Sequence, residues 1–300
     1  MDFLKLGIIG QPLTHSLSPL LHAQLLHLSQ QQGEYRKYQL QPSELPNALQ
    51  EFSRQGVRGL NVTIPHKVSV MKAMDWLSPE AELAGAVNTI VFESDENSAT
   101  GKKLKGYNTD ITGFMRSLPA SLLDRLPDSN LLILGAGGSA RAVMTGLIQA
   151  QTASITFAVR DPVKAISLTS DGEMIKQTYQ SATQLKLISL DSLPSLEGFD
   201  GLINTTPVGM YPNESQSPIT AIQLETLPAG SLVYDLIYRP TETQLLQAAT
   251  ARNLHAVNGL DMLIYQGICS FELWSEKDIP DTFVEPVRHQ LQTALKSAVS

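Results

Sequence analysis

The sequence predicts an α/β protein of two domains, and three observations carry that expectation. Short β-like apolar runs alternate with helical patterns from end to end, which reads as mostly parallel sheets covered by helices. The chain has 300 residues, more than one hydrophobic core ordinarily serves. After the last β-like run the pattern is wholly helical with no sheet of its own, so the chain end is expected to return and pack on the first domain.

In the first third, strands are expected over 4–9, 35–40, 59–63, 86–92 and 104–107, the last two paired across the polar loop 93–103. Helices fit 19–31, 43–55 and 66–74; Ser43 and Pro65 are good helix-start residues. A helix over 112–128 leads into the polar run Pro127-Asp128-Ser129-Asn130. A second α/β pattern then begins: strand 131–134, helix 140–151, strand 154–159, and strands at 186–189, 201–204, 232–236 and 255–257. Helical patterns at 261–274 and 286–298 close the chain. The expected division is therefore 1–112, 113–258 and the returning helices 259–300.

Composition narrows the function. Hydrophobic residues at 42% and charged residues at 17% are those of an ordinary globular protein. A formal net charge of −7 argues against nucleic acid as a partner, because phosphate binding needs a basic footprint, though it leaves room for a local basic pocket. The single cysteine, Cys269, excludes an internal disulfide, fits a reducing compartment and is expected as a small core residue. Residues 1–10 are too short and interrupted for a signal peptide, and no apolar run approaches the ~18 residues of a membrane span. A cytoplasmic protein without a membrane partner is expected. Six scattered histidines show no ligand spacing, so no metal is expected; a homodimer stays open.

Gly135-Ala136-Gly137-Gly138-Ser139-Ala140 follows an apolar strand and opens a helix, fitting G-x-G-x-x-A. Gly135 permits the tight turn, Gly137 lets backbone approach a pyrophosphate, and the helix N-terminus offers free N–H groups. The second domain is thus expected to be a Rossmann domain binding a nicotinamide dinucleotide. Its second strand ends in Val159-Arg160-Asp161-Pro162-Val163-Lys164. An arginine there accommodates the 2′-phosphate of NADP, and an acidic residue accepts from the ribose 2′-OH of NAD. Arg160 and Lys164 favour NADP; Asp161 either keeps NAD open or caps the following turn.

Polar clusters in the first domain resist explanation as packing. Ser16 and Ser18, two apart, would present hydroxyls together from an extended segment, or Ser18 would cap the helix that Pro19 begins. Asn61-Val62-Thr63-Ile64-Pro65-His66-Lys67 places Thr63 and Lys67 at a strand's end. Ala86-Val87-Asn88-Thr89 and Gly106-Tyr107-Asn108-Thr109-Asp110 add amides and a carboxylate. Singly, such a lysine is usually solvent-facing and such an aspartate a cap. Together they suit a small polyhydroxylated acid, with one lysine–carboxylate pair for proton transfer. His15 and His66 flank this region and are read as incidental.

These motifs, with Asn204-Thr205-Thr206-Pro207-Val208-Gly209-Met210, Tyr234-Asp235-Leu236-Ile237-Tyr238 and 258–266, resemble the shikimate dehydrogenase family over nearly the whole chain. The resemblance implies reversible NADPH-dependent reduction of 3-dehydroshikimate to shikimate, a step towards chorismate and the aromatic amino acids. It implies Lys67 and Asp110 as the catalytic pair, with Ser16, Ser18, Thr63, Asn88, Asp110, Tyr238 and Gln266 contacting the substrate. It further implies Gly135, Ala136, Gly137, Gly138 and Ser139 at the pyrophosphate, Arg160, Asp161 and Lys164 around the 2′ position, and Leu236 and Gly259 near the nicotinamide. Many NADP-specific members read Asn-Arg-Thr where this chain has Val159-Arg160-Asp161, which keeps an NAD-using quinate/shikimate dehydrogenase as an alternative. A catalytically silent, ligand-sensing relative is the other alternative; retention of Lys67 and Asp110 speaks against it.

Overall fold

The computed structural model describes residues 3–98, 100–193 and 195–297. The chain forms two compact units, one running up to Gly113 and resuming at Leu263, the other Phe114–Met262.

The first unit contains β1 (Leu4–Gly10), α1 (Ser18–Leu28), β2 (Gly33–Gln39), α2 (Leu45–Arg54), β3 (Gly59–Val62), β4 (Trp76–Leu77), α3 (Pro79–Ala84), β5 (Thr89–Ser94) and β6 (Lys102–Tyr107). Its sheet runs β2-β1-β3-β5-β6-β4. β1 is parallel to β2 and β3, β4 is parallel to β6, and β5 is antiparallel to β3 and β6. Helix α2 shows why the sheet is covered: Leu45, Leu49 and Phe52 recur at helical spacing and join Ile9, Leu60, Val62 and Ile90 in one core.

Next come α4 (Asp110–Ser117), α5 (Ala120–Leu123), β7 (Asn130–Leu134), α6 (Gly138–Gln149), β8 (Ser154–Val159), α7 (Ser167–Tyr179), β9 (Gln184–Ser189), β10 (Gly201–Asn204), α8 (Ala221–Glu225), β11 (Leu232–Asp235), α9 (Gln244–Ala251) and β12 (His255–Asn258). The second sheet is parallel throughout, in the order β12-β11-β10-β7-β8-β9. Chain order therefore reverses between β7 and β10, the switch point beside which doubly wound sheets bind ligands. Two helices end the chain, α10 (Leu260–Ser275) and α11 (Val284–Ser297), and α11 packs on α1. Residue 298, the end expected for the last helix, lies outside the described residues.

Several expectations fail for physical reasons. Residues 66–74 are not an α-helix but a tight turn followed by a 3-10 turn at Ser69–Ala73. The Lys67 carbonyl, which an α-helix would commit to Met71, instead accepts from Val87 N–H at 2.8 Å. The helix expected over 112–128 is broken into α4, α5 and a 3-10 turn at Leu126–Asp128, with Pro119 at the break. Helices α3, α7, α8 and α9 were not expected. α3 nevertheless carries start and stop signals: Ser78 accepts from Ala81 N–H, Pro79 follows, and Gly85 ends it in the left-handed region. Cys269 is half-buried rather than a core residue.

Inside the first unit, His22 of α1 is completely buried. Its ring stacks on Tyr35 at 4.4 Å, sits beside Trp274, and places Nε2 at 3.0 Å from Asn61 Oδ1. Burial, opposed by the Asn61 hydrogen bond, pushes its pKa down to about 3. The unfolded chain then binds more protons than the folded one between pH ~6.5 and ~3, so this histidine's share of stability falls as pH falls through that window. The lead of the parent over His22→Gln should shrink by up to about 1.4 kcal/mol per pH unit below pH ~6.5. Denaturant unfolding from pH 7 to 4 measures it; a lead that stays constant refutes the assignment.

Candidate active site

Lys67 leaves the turn after β3, and Asp110 opens α4 at the end of β6. Lys67 Nζ donates to Asp110 Oδ2 at 2.6 Å, with side-chain exposures of 17% and 8%, so the pair is mostly withdrawn from water. Asp110 is not a helix cap: its second oxygen, Oδ1, accepts from Asn88 Nδ2 at 2.8 Å. Asn88 Nδ2 also faces Thr109 Oγ1 at 2.9 Å and Gln266 Oε1 at 3.5 Å. Gln266 is oriented from its other end, donating through Nε2 to Leu263 O at 2.8 Å. Lys67, Asn88, Asp110 and Gln266 thus come together, though they lie far apart in sequence. An ammonium donor, a carboxylate that accepts it and two fixed amides can bind hydroxyl groups and move a proton.

Ser16 and Ser18 are neighbours, but not as residues of an extended segment. Leu17 has helical angles (φ −88°, ψ −4°), and Ser18 makes no side-chain cap at the start of α1. Ser16 Oγ accepts from Ser18 N–H at 3.3 Å, and Ser18 is buried while Ser16 is half-buried. Thr63 follows β3, where its N–H donates to Ile9 O and its carbonyl accepts from His66 N–H. His66 is fully buried, and its Nε2 meets Leu40 O at 2.9 Å. His15 is exposed.

In the second unit, Gly135 follows β7 with φ +104°, a conformation that side chains rarely adopt. A Cβ there would also lie 2.7 Å from Thr205 Oγ1. Gly137 is extended (φ −79°, ψ −174°), precedes α6 without a side-chain cap, and a Cβ on it would meet nothing within 4 Å. The uncapped N–H groups of α6, with Gly138 and Ser139 in its first turn, therefore border open space that suits an anion. Arg160 and Lys164 are exposed near the end of β8. Asp161 turns back on its own loop: Oδ1 accepts from Lys164 N–H and Oδ2 lies 3.2 Å from Lys164 Nζ.

The strand ends of this unit carry a knot not anticipated from the sequence. Asp235, fully buried at the end of β11, accepts from Asn204 Nδ2 (3.0 Å), Ile237 N–H (3.1 Å) and Thr243 Oγ1 (2.7 Å). Asn204 in turn accepts from Thr206 N–H and Thr206 Oγ1. The knot ties the loops after β10 and β11, the latter bearing half-buried Leu236 and Tyr238. Gly259 lies against the Leu236 backbone so closely that a Cβ would fall 2.0 Å from Leu236 O.

Residues 8–90 match the family description "Shikimate dehydrogenase substrate binding domain", and residues 259–292 match "Shikimate 5'-dehydrogenase C-terminal domain". A shikimate dehydrogenase (NADP(+)) of Caldanaerobacter subterraneus subsp. tengcongensis is 37% identical over 286 residues, covering 95% of this chain and 96% of that protein. The chain belongs to the shikimate dehydrogenase family. Among solved structures, a chorismate mutase/shikimate 5-dehydrogenase fusion protein from Clostridium acetobutylicum superposes with TM-score 0.85 and 32% identity, covering 99% of this chain and 100% of that one. A Thermus thermophilus shikimate 5-dehydrogenase in complex with NADP(H) and shikimate superposes with TM-score 0.79 and 33% identity, covering 96% and 99%.

The Asp235 carboxyl is pushed up to about 6 by burial, against the hydrogen bonds from Thr243, Ile237 and Asn204. Its folded pKa lies above the unfolded value, so its contribution to stability is present below pH ~4 and is lost as pH rises through ~6. Asp235→Asn, which cannot ionise, should gain in stability on the parent as pH rises from 4 to 7. Unfolding free energies at a series of pH values check this, and a gap independent of pH would contradict it.

Proposed function

We propose that this chain catalyses the reversible NADPH-dependent reduction of 3-dehydroshikimate to shikimate, in the route to chorismate and the aromatic amino acids. The observation that carries the reading is the 2.6 Å ion pair of Lys67 and Asp110, set beside Asn88 and Gln266. Its work is proposed for the cytoplasm. The single cysteine suits that compartment, and among the described residues no helix is long and apolar enough to cross a membrane.

The residues present fit a nicotinamide dinucleotide. Open space over Gly137 and the uncapped start of α6 suit the pyrophosphate contacted by Gly135, Ala136, Gly137, Gly138 and Ser139. Arg160 and Lys164 would hold the 2′-phosphate, and Leu236 and Gly259 would border the nicotinamide. NADPH, when bound, supplies the hydride. Lys67 donates a proton to the substrate oxygen as it gains alkoxide character, and in the oxidative direction takes the hydroxyl proton back. Asp110 keeps Nζ aimed, while Asn88 fixes the carboxylate's other oxygen. Ser16, Ser18, Thr63 and Gln266 would bind the carboxylate and hydroxyls, which orients the reacting carbon.

Asp161 favours a second reading, use of NAD as well. Its carboxylate takes both the backbone N–H and the ammonium of Lys164, which offsets one of the two cations on that loop and leaves Arg160 as the other. Steady-state assays of shikimate and quinate with NADP and NAD discriminate the two; the first reading expects NADP to give the higher kcat/KM with shikimate.

Lys67→Ala should lower kcat by roughly 10²-fold or more with a much smaller change in KM. Near-normal turnover removes Lys67 from the role. Gly137→Val places its side chain in open space, so the thermal midpoint should hold while NADP affinity, read by fluorescence titration, is lost. Unimpaired binding would move the pyrophosphate elsewhere.

A further inference from the structure

The catalytic pair is one end of a longer buried chain of polar groups. Asn61, Asn88, Thr89, Thr109 and Ser270 are all buried in the first unit, where an unpaired polar atom would be costly. Their hydrogen bonds have a direction. Asn61 Oδ1 is met by His22 Nε2 at 3.0 Å and by Tyr35 Oη at 2.7 Å. Its nitrogen therefore points inward, donating to Ser270 Oγ at 2.9 Å and Thr89 Oγ1 at 3.3 Å. The two hydroxyls are themselves 2.7 Å apart, and Ser270 also lies 3.1 Å from Thr109 Oγ1. Thr89 Oγ1 donates to Asn88 Oδ1 at 3.1 Å, and Thr109 N–H donates to the same oxygen at 2.7 Å. With its oxygen held on that side, the amide nitrogen of Asn88 is left facing Asp110 Oδ1.

We propose that the buried hydroxyls of Thr89 and Ser270, anchored by Asn61, are positioning groups that hold Asn88 against Asp110 and so aim the Lys67–Asp110 pair. Neither residue is a catalytic residue: both are fully buried, Thr89 acting through Asn88 and Ser270 through Thr89 and Thr109. A stack of purely apolar side chains would fill the same space at less desolvation cost, but it would leave the Asn88 oxygen with the Thr109 N–H and no hydroxyl donor. Ser270 adds a second link, because its single proton is shared between Thr89 Oγ1 and, at 2.9 Å, Gln266 O on the helix that presents Gln266. One network thus fixes both amides beside the catalytic pair.

The claim rests on the shikimate dehydrogenase reading, and its test separates hydroxyl from packing. Thr89→Val keeps the shape and loses the hydroxyl; Thr89→Ser keeps the hydroxyl and loses a methyl. Thr89→Val should lower kcat for 3-dehydroshikimate about 10-fold with KM nearly unchanged, a modest misalignment effect, while Thr89→Ser retains most of the parental kcat. Ser270→Ala should lower kcat similarly, and the double variant Thr89→Val/Ser270→Ala should lose less than the two effects combined, as for groups in one network. Equal kcat in parent and Thr89→Val, or a larger loss in Thr89→Ser, overturns the proposal. A parent inactive on shikimate overturns the proposed function instead. A crystal structure of Thr89→Val then decides the geometry without turnover: Asn88 Nδ2 moves off Asp110 Oδ1 if the hydroxyl holds it, and an unmoved amide refutes the inference.

Discussion

Asp110 has one carboxylate and two demands on it. One oxygen takes the ammonium of Lys67 and the other takes the amide of Asn88. Both bonds require Asp110 at the end of β6, Asn88 immediately before β5, and Lys67 in a turn whose carbonyl bonds Val87. The antiparallel pairing of β5 with β3 and β6 provides that arrangement, because it brings Asn61, Asn88 and Thr109 to neighbouring strand ends. A mostly buried ion pair gains little stability by itself, since desolvation offsets attraction. What it contributes is a fixed direction for the Lys67 ammonium, with Asn88 bonded to the carboxylate's other oxygen.

The second unit answers a similar problem with backbone. A parallel sheet whose order reverses between β7 and β10 leaves a crevice at its strand ends, and Gly135 turns the chain there with a positive φ. The first N–H groups of α6 are left without a side-chain cap there, a setting that suits an anion and needs no side chain. Side chains act only at the edges: Asp235 ties the loops after β10 and β11, and Arg160, Asp161 and Lys164 set the charge beside β8. Asp235 shows the cost of that tie. Its three hydrogen bonds do not fully offset burial, so its carboxyl remains shifted upward.

Legibility followed the range of the interaction. The turn at Gly135 and Gly137 was readable because tight turning and close approach are demands on a few adjacent residues. The polar residue types at Lys67, Asn88 and Asp110 are readable too, although Asp110 taken alone looks like a cap, while Gln266 comes only with the family resemblance. Residues 66–74 looked helical because local propensity cannot register that Val87, in another strand, takes the Lys67 carbonyl. α7 escaped notice because its buried residues are few, Leu168, Gly172 and Ile175, while Met174 on the same helix is exposed. The break at Pro119 has a local signal, and so does the cap at Ser78. Ser270 had only a faint one, a polar residue one helical turn after Gln266 within an apolar helix.

By itself the sequence determined the chemistry available: one lysine–carboxylate pair, amides and hydroxyls for a small polar acid, a glycine turn for a dinucleotide, and cations beside it. Those are properties of residues and of short segments, where backbone preference and side-chain type act together. Tertiary structure decided which way each group points. Asp161 turned onto Lys164, Ser16 onto the Ser18 amide, His66 onto Leu40, and the nitrogen of Asn88 onto Asp110. The reason is distance along the chain. Ser270 meets Asn61 across 209 residues, and orientation in such a network is fixed only when every partner has arrived.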